Sequence, residues 1–163
     1  MDLFEPPAKR FSREQFLAEC GQKLHDTVTE LELVELRASA ACLEALPLVP
    51  VPGRPTIWGL LLFGECGLYF YYAPDENAFS LMVRQAAHQK LPPEQIVPLH
   101  TLHSLLFSRP QKRWFDFLSG ERKRVLNASF KDKDGIARNF SFLCTHHAEP
   151  VLRKIQRCLR PET

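Results

Sequence analysis

Apolar positions along this chain recur in two patterns, and their succession predicts an order of elements. From Arg13 to about His25, Phe16, Leu17, Cys20 and Leu24 repeat on one helical face, and Ser12 with Gln15 forms a capping box flanked by a Phe11 and Phe16 staple. This predicts an N-terminal helix. The most apolar stretch, TIWGLLLFGECGLYFYY, is shorter than the roughly 20 residues a membrane-spanning helix needs and is interrupted at Gly64, Glu65 and Gly67. Neither G-x-G-x-x-G nor G-x-x-x-x-G-K-[ST] occurs, so its glycines are not a phosphate loop. It predicts a hairpin of two central strands around a GEC turn.

Other segments continue the period-two pattern. TVTELELVELRASAACLEAL mixes helix-favouring composition with the alternation Val34, Leu36, Ala38, and a strand from about Val34 to Leu43 is expected. Phe79, Leu81 and Val83 alternate, IVPLHTLHSLLF predicts one strand bent near Pro98, and RWFDFL predicts another. In RVLNASFKDKDGIARNFSFLC, Leu126, Ala128 and Phe130 are expected to face Ile136, Phe140 and Phe142 across the turn Asp132 to Gly135. Thr145 or a neighbour then caps a last helix with Pro150 in its first turn. Its apolar stripe is Val151, Leu152, Ile155, Cys158 and Leu159, with Arg153, Lys154, Arg157 and Arg160 on the solvated side.

A GxLLF arm, GLYFYY, a spacer, IVPLHTLHSLLF, a further hairpin and a terminal helix resemble the PH/GRAM-like superfold over roughly Val34 to Leu159. The fold class expected is α+β, mainly β. It is a bent antiparallel barrel of about seven strands capped by the C-terminal amphipathic helix, with an additional N-terminal helix. Residues 1–27 form an arm and helix, and 28–163 the barrel. The resemblance implies a non-catalytic docking module for proteins, peptides or membrane lipids. The terminal helix lacks the tryptophan of true PH domains, which places the likeness with GRAM-type or bacterial PH-like members. The loop EALPLVPVPGRP, where lipid-binding members are rich in Lys and Arg, holds only Arg54.

Composition narrows the classes. A chain of 163 residues is the size of one domain and buries about 70% of its unfolded surface. With 21 basic and 19 acidic side chains the net charge is +2, so no global charge draws the protein to nucleic acid. The five cysteines contain no Cys-x-x-Cys pair and are odd in number, which points to buried thiols rather than a disulfide framework or a zinc ribbon. The first residues lack the apolar core of a signal peptide, and the expected location is the cytoplasm.

Two partner sites stand out. Pro47-Leu48-Val49-Pro50 and Pro52-Gly53-Arg54-Pro55 each spell P-x-x-P and favour polyproline II, so Pro47, Pro50, Arg54 and Pro55 are partner-binding candidates against the simpler role of a stiff connector. Arg109, Lys112 and Arg113, and Arg122, Lys123 and Arg124, are anion-binding candidates. Pairing of RWFDFL with RVLNASF would place these two clusters at opposite ends of the barrel. Arg109 to Arg113 also spells R-x-x-x-R, and Asn127-Ala-Ser129 begins N-x-S, as in PilZ domains that bind cyclic di-GMP, but Asp132 stands where PilZ has glycine.

The competing enzymatic reading is a small metal-dependent or Cys/His hydrolase centred on Cys144, His146 and His147. Adjacent histidines diverge by about 100° on a helix, which makes a poor zinc site. His100 and His103, if both in one strand, fall on opposite faces, and Asp132-Lys-Asp134-Gly lacks the remaining ligands of an EF-hand. The expectation is therefore no catalysis and no cofactor. A protein partner comes first, and weak contact with an anionic membrane surface is the lesser alternative. Oligomeric state is left open.

Overall fold

The computed structural model describes residues 13–50, 57–73, 94–111 and 120–160. Helix α1 spans Arg13–Leu24, strand β1 Val28–Ala38 and a short helix α2 Ala40–Ala45. Strands β2 (Ile57–Gly64), β3 (Leu68–Tyr72), β4 (Gln95–Pro98), β5 (His103–Ser108), β6 (Val125–Lys131) and β7 (Ala137–Cys144) follow, and helix α3 (Ala148–Leu159) ends the described chain. The segment expected as one strand from Val34 to Leu43 is instead strand then helix. Ser39 breaks it, its side chain capping α2 by accepting the Cys42 N–H at 3.2 Å.

All seven strands form one antiparallel sheet in the order β4-β3-β2-β1-β7-β6-β5. The IVPLHTLHSLLF run is two strands rather than one, because a 3-10 turn at Leu99–Thr101 divides β4 from β5. These two halves lie on opposite edges of the sheet, and that requires curvature. A flat sheet would hold the edges roughly 29 Å apart, yet the five steps from Pro98 to His103 span at most about 17 Å. The aromatic core shows the same curl, for the rings of Phe70 on β3 and Phe142 on β7 approach to 5.5 Å although two strands separate them.

The expected closed barrel is corrected. β4 and β5 are not paired with each other among the described residues, and the sheet is an open, strongly curled half-barrel. Its concave face carries Val34, Leu36, Leu61, Phe63, Phe70, Leu126, Phe140 and Phe142, and α3 fills it with Val151, Leu152 and Ile155. Lys154 departs from the solvated role expected of it. Its Nζ reaches Glu30 at 2.8 Å and Glu32 at 2.9 Å and lies over the Phe63 ring, fastening α3 to β1. The N-cap of α3 is His147, two residues after Thr145, and it makes no side-chain capping bond.

Helix α1 covers part of the convex face. A bulge at Thr29 shifts the register between Val28 and Glu30, which turns Val28 outward to join Leu17, Cys20, Leu62 and Tyr69 in a second, smaller core. In the β6–β7 hairpin, Leu126 pairs with Phe142 and Ala128 with Phe140 as expected, but Phe130 pairs with Arg138. Ile136 is left exposed in the turn, where the Asp132 carboxylate accepts the Asp134 and Ile136 N–H groups and the Arg138 Nε. The expected strands at 79–83 and 113–118, the Ser12 cap and Phe11 lie outside the described residues.

Candidate functional site

The described basic residues come together at one end of the half-barrel; the pairing of RWFDFL with RVLNASF that would have separated the two clusters falls on residues outside the described ones, and β5 takes that place beside β6. Because β5 pairs with β6, the chain leaving β5 lies beside the chain entering β6. Arg109 donates to the Val125 carbonyl at 2.5 Å and faces Glu149 at 3.7 Å. Arg122 donates to the Gln111 carbonyl at 2.9 Å, and Arg124 Nε to the Cys144 carbonyl at 2.8 Å. Three guanidinium groups thus hold backbone at the strand ends, while Lys123 is exposed. Lys112 and Arg113 lie outside the described residues.

The first P-x-x-P segment rests on the sheet. Leu48 is buried in the main core, and Val49 is clamped by one side-chain amide: its N–H donates to Gln95 Oε1 at 2.8 Å, and Gln95 Nε2 donates to its carbonyl at 2.9 Å. Pro47 and Pro50 are exposed, whereas Arg54 and Pro55 lie outside the described residues.

Cys144 sits in the concave core, and burial pushes its thiol up to about 11, which suppresses the thiolate a nucleophile needs. His146 and His147 are exposed at the entry to α3. Among the described residues no cluster of three His, Cys, Asp or Glu side chains is arranged to hold a metal. His100 lies in the 3-10 turn rather than in a strand with His103. Its Nδ1 is 3.3 Å from the Leu68 nitrogen and 3.1 Å from the Leu68 oxygen, so either tautomer finds a partner, and its ring edge meets Tyr69.

What the sequence did not single out is the convex face beyond α1. Leu33 pairs with Leu60 and Glu35 with Trp58, which makes Leu33 and Trp58 diagonal neighbours, 44% and 43% exposed. In the next row Arg37, Ser141, Asn127 and Ser108 stand opposite one another across β1, β7, β6 and β5. In the row after that, Leu106, 65% exposed, stands opposite Ser129 and Ser129 opposite Asn139. A groove of about 610 Å³ runs over these side chains. Arg37 is neutralised by Glu121 at 2.7 Å and by the buried Glu35 at 3.5 Å. Trp58 escaped notice because its strand reads as apolar on both faces. The signal for the polar rows was visible: every outward position in the middle of the second hairpin is Ser or Asn rather than a long charged side chain.

No family model and no curated protein matches the chain. Among solved structures, the hSac2 domain from human phosphoinositide phosphatase Sac2 is similar over 79% of this chain and 68% of that one, with 16% identity and a TM-score of 0.33. A likeness at that score fixes neither topology nor function.

Proposed function

We infer that this protein is a PH/GRAM-like docking module that binds a protein partner on the convex face of its sheet and performs no chemistry of its own. The carrying observation is the exposed pair Trp58 and Leu33, set beside Leu60 on the central strands β1 and β2 of the sheet. A half-exposed tryptophan next to aliphatic side chains is the composition of an interface anchor. The order of elements supports the PH/GRAM-like reading: two antiparallel meanders joined through β1 and β7, with a C-terminal helix in the concave face. None of the five cysteines is in a disulfide, which suits a reducing cytoplasm. Contact with an anionic membrane is the weaker reading, since Arg109, Arg122 and Arg124 already hold backbone carbonyls.

The test is native co-purification of wild type against Trp58→Asp and Leu33→Asp, each first shown by thermal unfolding to keep its fold. A protein recovered with wild type and absent from both variants is expected. A full set of co-purifying proteins retained by both variants overturns the assignment.

A further inference from the structure

The polar half of the convex face is unusual in what it lacks. Ser108, Asn127, Ser129, Asn139 and Ser141 are short and uncharged, and none of their side chains has a hydrogen-bond partner among the described residues. Arg37, the cation beside them, is compensated by Glu121 and Glu35. The face is therefore neutral, dense in donors and acceptors, and carries little rotamer entropy to lose on binding. Charge complementarity selects a neutral ligand of matching hydrogen-bond density.

The chain itself shows what a carboxamide does to extended backbone. Gln95 satisfies both the N–H and the carbonyl of Val49 with one planar group. Asn127 and Asn139 carry the same group, both exposed, on neighbouring strands of the face. Asn127 stands opposite Ser141 and Asn139 is two residues from Ser141, so the two amides are diagonal neighbours about 7–8 Å apart. In an extended polypeptide, N–H and carbonyl pairs on one edge recur every second residue, roughly 6.8 Å. The two spacings agree.

We propose that Asn127 and Asn139 clamp the main chain of an extended, uncharged peptide segment of the partner, with the serines and the exposed Leu106 lining its path, while Trp58 and Leu33, on β2 and β1 to one side of the clamp, anchor an apolar side chain from another part of the same segment. This rests on the docking reading above and names the chemistry of its partner. Affinity then comes from backbone amides and one apolar anchor, and association is nearly independent of salt.

The probe is a displayed library of random linear peptides selected on the full-length protein. Enriched sequences are expected to be uncharged with one apolar residue, and their affinity to fall about tenfold in Asn127→Ala/Asn139→Ala, the loss of about 1.4 kcal/mol. N-methylation along the best peptide is expected to abolish binding at two positions two residues apart, which recognition through side chains alone would not produce. Peptides that bind the double variant and every N-methyl analogue as tightly as wild type, yet lose binding to Trp58→Ala, overturn the clamp and leave the docking face standing. Peptides indifferent to Trp58→Ala as well overturn both. Enrichment of no peptide, or of charged peptides released by salt, overturns the clamp.

Discussion

Tyr69 donates its phenolic O–H to the Asp26 carboxylate at 2.9 Å, tying β3 to the residue that leads into β1. The same carboxylate accepts the Thr27 N–H at 2.7 Å and the Cys66 N–H at 3.1 Å, so one side chain joins the end of α1, the start of β1 and the β2–β3 turn. Burial opposes its charge, but the bonds from Tyr69, Cys66 and Thr27 outweigh that and hold Asp26 below its ordinary 3.8.

Asp26→Ala is expected to cost about 1–3 kcal/mol near neutral pH, because it leaves the donors around it without their shared acceptor. The pH dependence follows from the depressed pKa. The contribution is present above the ordinary 3.8 and is lost as pH falls through the lower folded value, so wild type and variant converge in acid. Denaturant unfolding of both proteins across that range checks the sign.

Tyr69 supplies the alkaline counterpart. Burial, then the bond to Asp26, pushes its phenol from 10.0 up to about 12. Folding thus favours the protonated phenol, and its contribution, complete below 10, disappears as pH rises towards 12. Ultraviolet difference titration of wild type against Tyr69→Phe is expected to show a tyrosine ionising late. Ionisation of that residue at an ordinary tyrosine pH would contradict the buried bond.

Gly64 is required by the same carboxylate. A Cβ there would lie 2.1 Å from Asp26 Oδ2 and 3.2 Å from the Tyr69 ring. Gly64→Ala is expected to destabilise wild type more than it destabilises the Asp26→Ala background, with a coupling of about 1 kcal/mol in a double-mutant cycle. Strict additivity would mean that the two residues do not meet.

Much of this arrangement was legible because it rests on local periodicity. The boundaries of α1, both hairpins and the stripe of α3 follow from which side chains alternate and which recur every third or fourth residue. What was not legible depends on distant partners. IVPLHTLHSLLF looks like one strand, and only the pairing of β4 with β3 and of β5 with β6 divides it. Likewise Lys154 carries the sequence signature of a solvated lysine, and its burial against Glu30 and Glu32 is set by where α3 lands. The docking face is hidden for the same reason: Trp58 and Asn127 are 69 positions apart in sequence, and only the order β2-β1-β7-β6 brings their strands into one surface.

His25 closes α1 with left-handed backbone at φ 52°, and the Asp26 N–H reaches back to the Gly21 carbonyl at 3.1 Å. This is the Schellman arrangement, in which glycine is the favoured residue. The left-handed conformation costs an L-residue about 1–2 kcal/mol, and the greater freedom of glycine in the unfolded chain offsets part of the gain. His25→Gly is therefore expected to stabilise the protein by about 0.5–1 kcal/mol. A lowered unfolding midpoint would show that the imidazole makes a contact worth more than the strain.

The cysteines offer a direct test of the core and of the hydrolase alternative together. Cys20, Cys42 and Cys144 are buried, Cys158 is half-buried, and Cys66 is exposed in the β2–β3 turn. Alkylation proceeds through the thiolate, so reactivity requires both access and an unraised pKa. Cys144 has neither, since burial holds it at about 11, and burial raises Cys20, Cys42 and Cys158 as well. Timed alkylation of the native protein followed by peptide mass spectrometry is expected to mark Cys66 first and Cys158 slowly. Cys20, Cys42 and Cys144 should react only at the rate of unfolding. Rapid labelling of Cys144 already at neutral pH would instead indicate an accessible thiolate beside His146 and His147, and would move that thiol from the core to a reactive site.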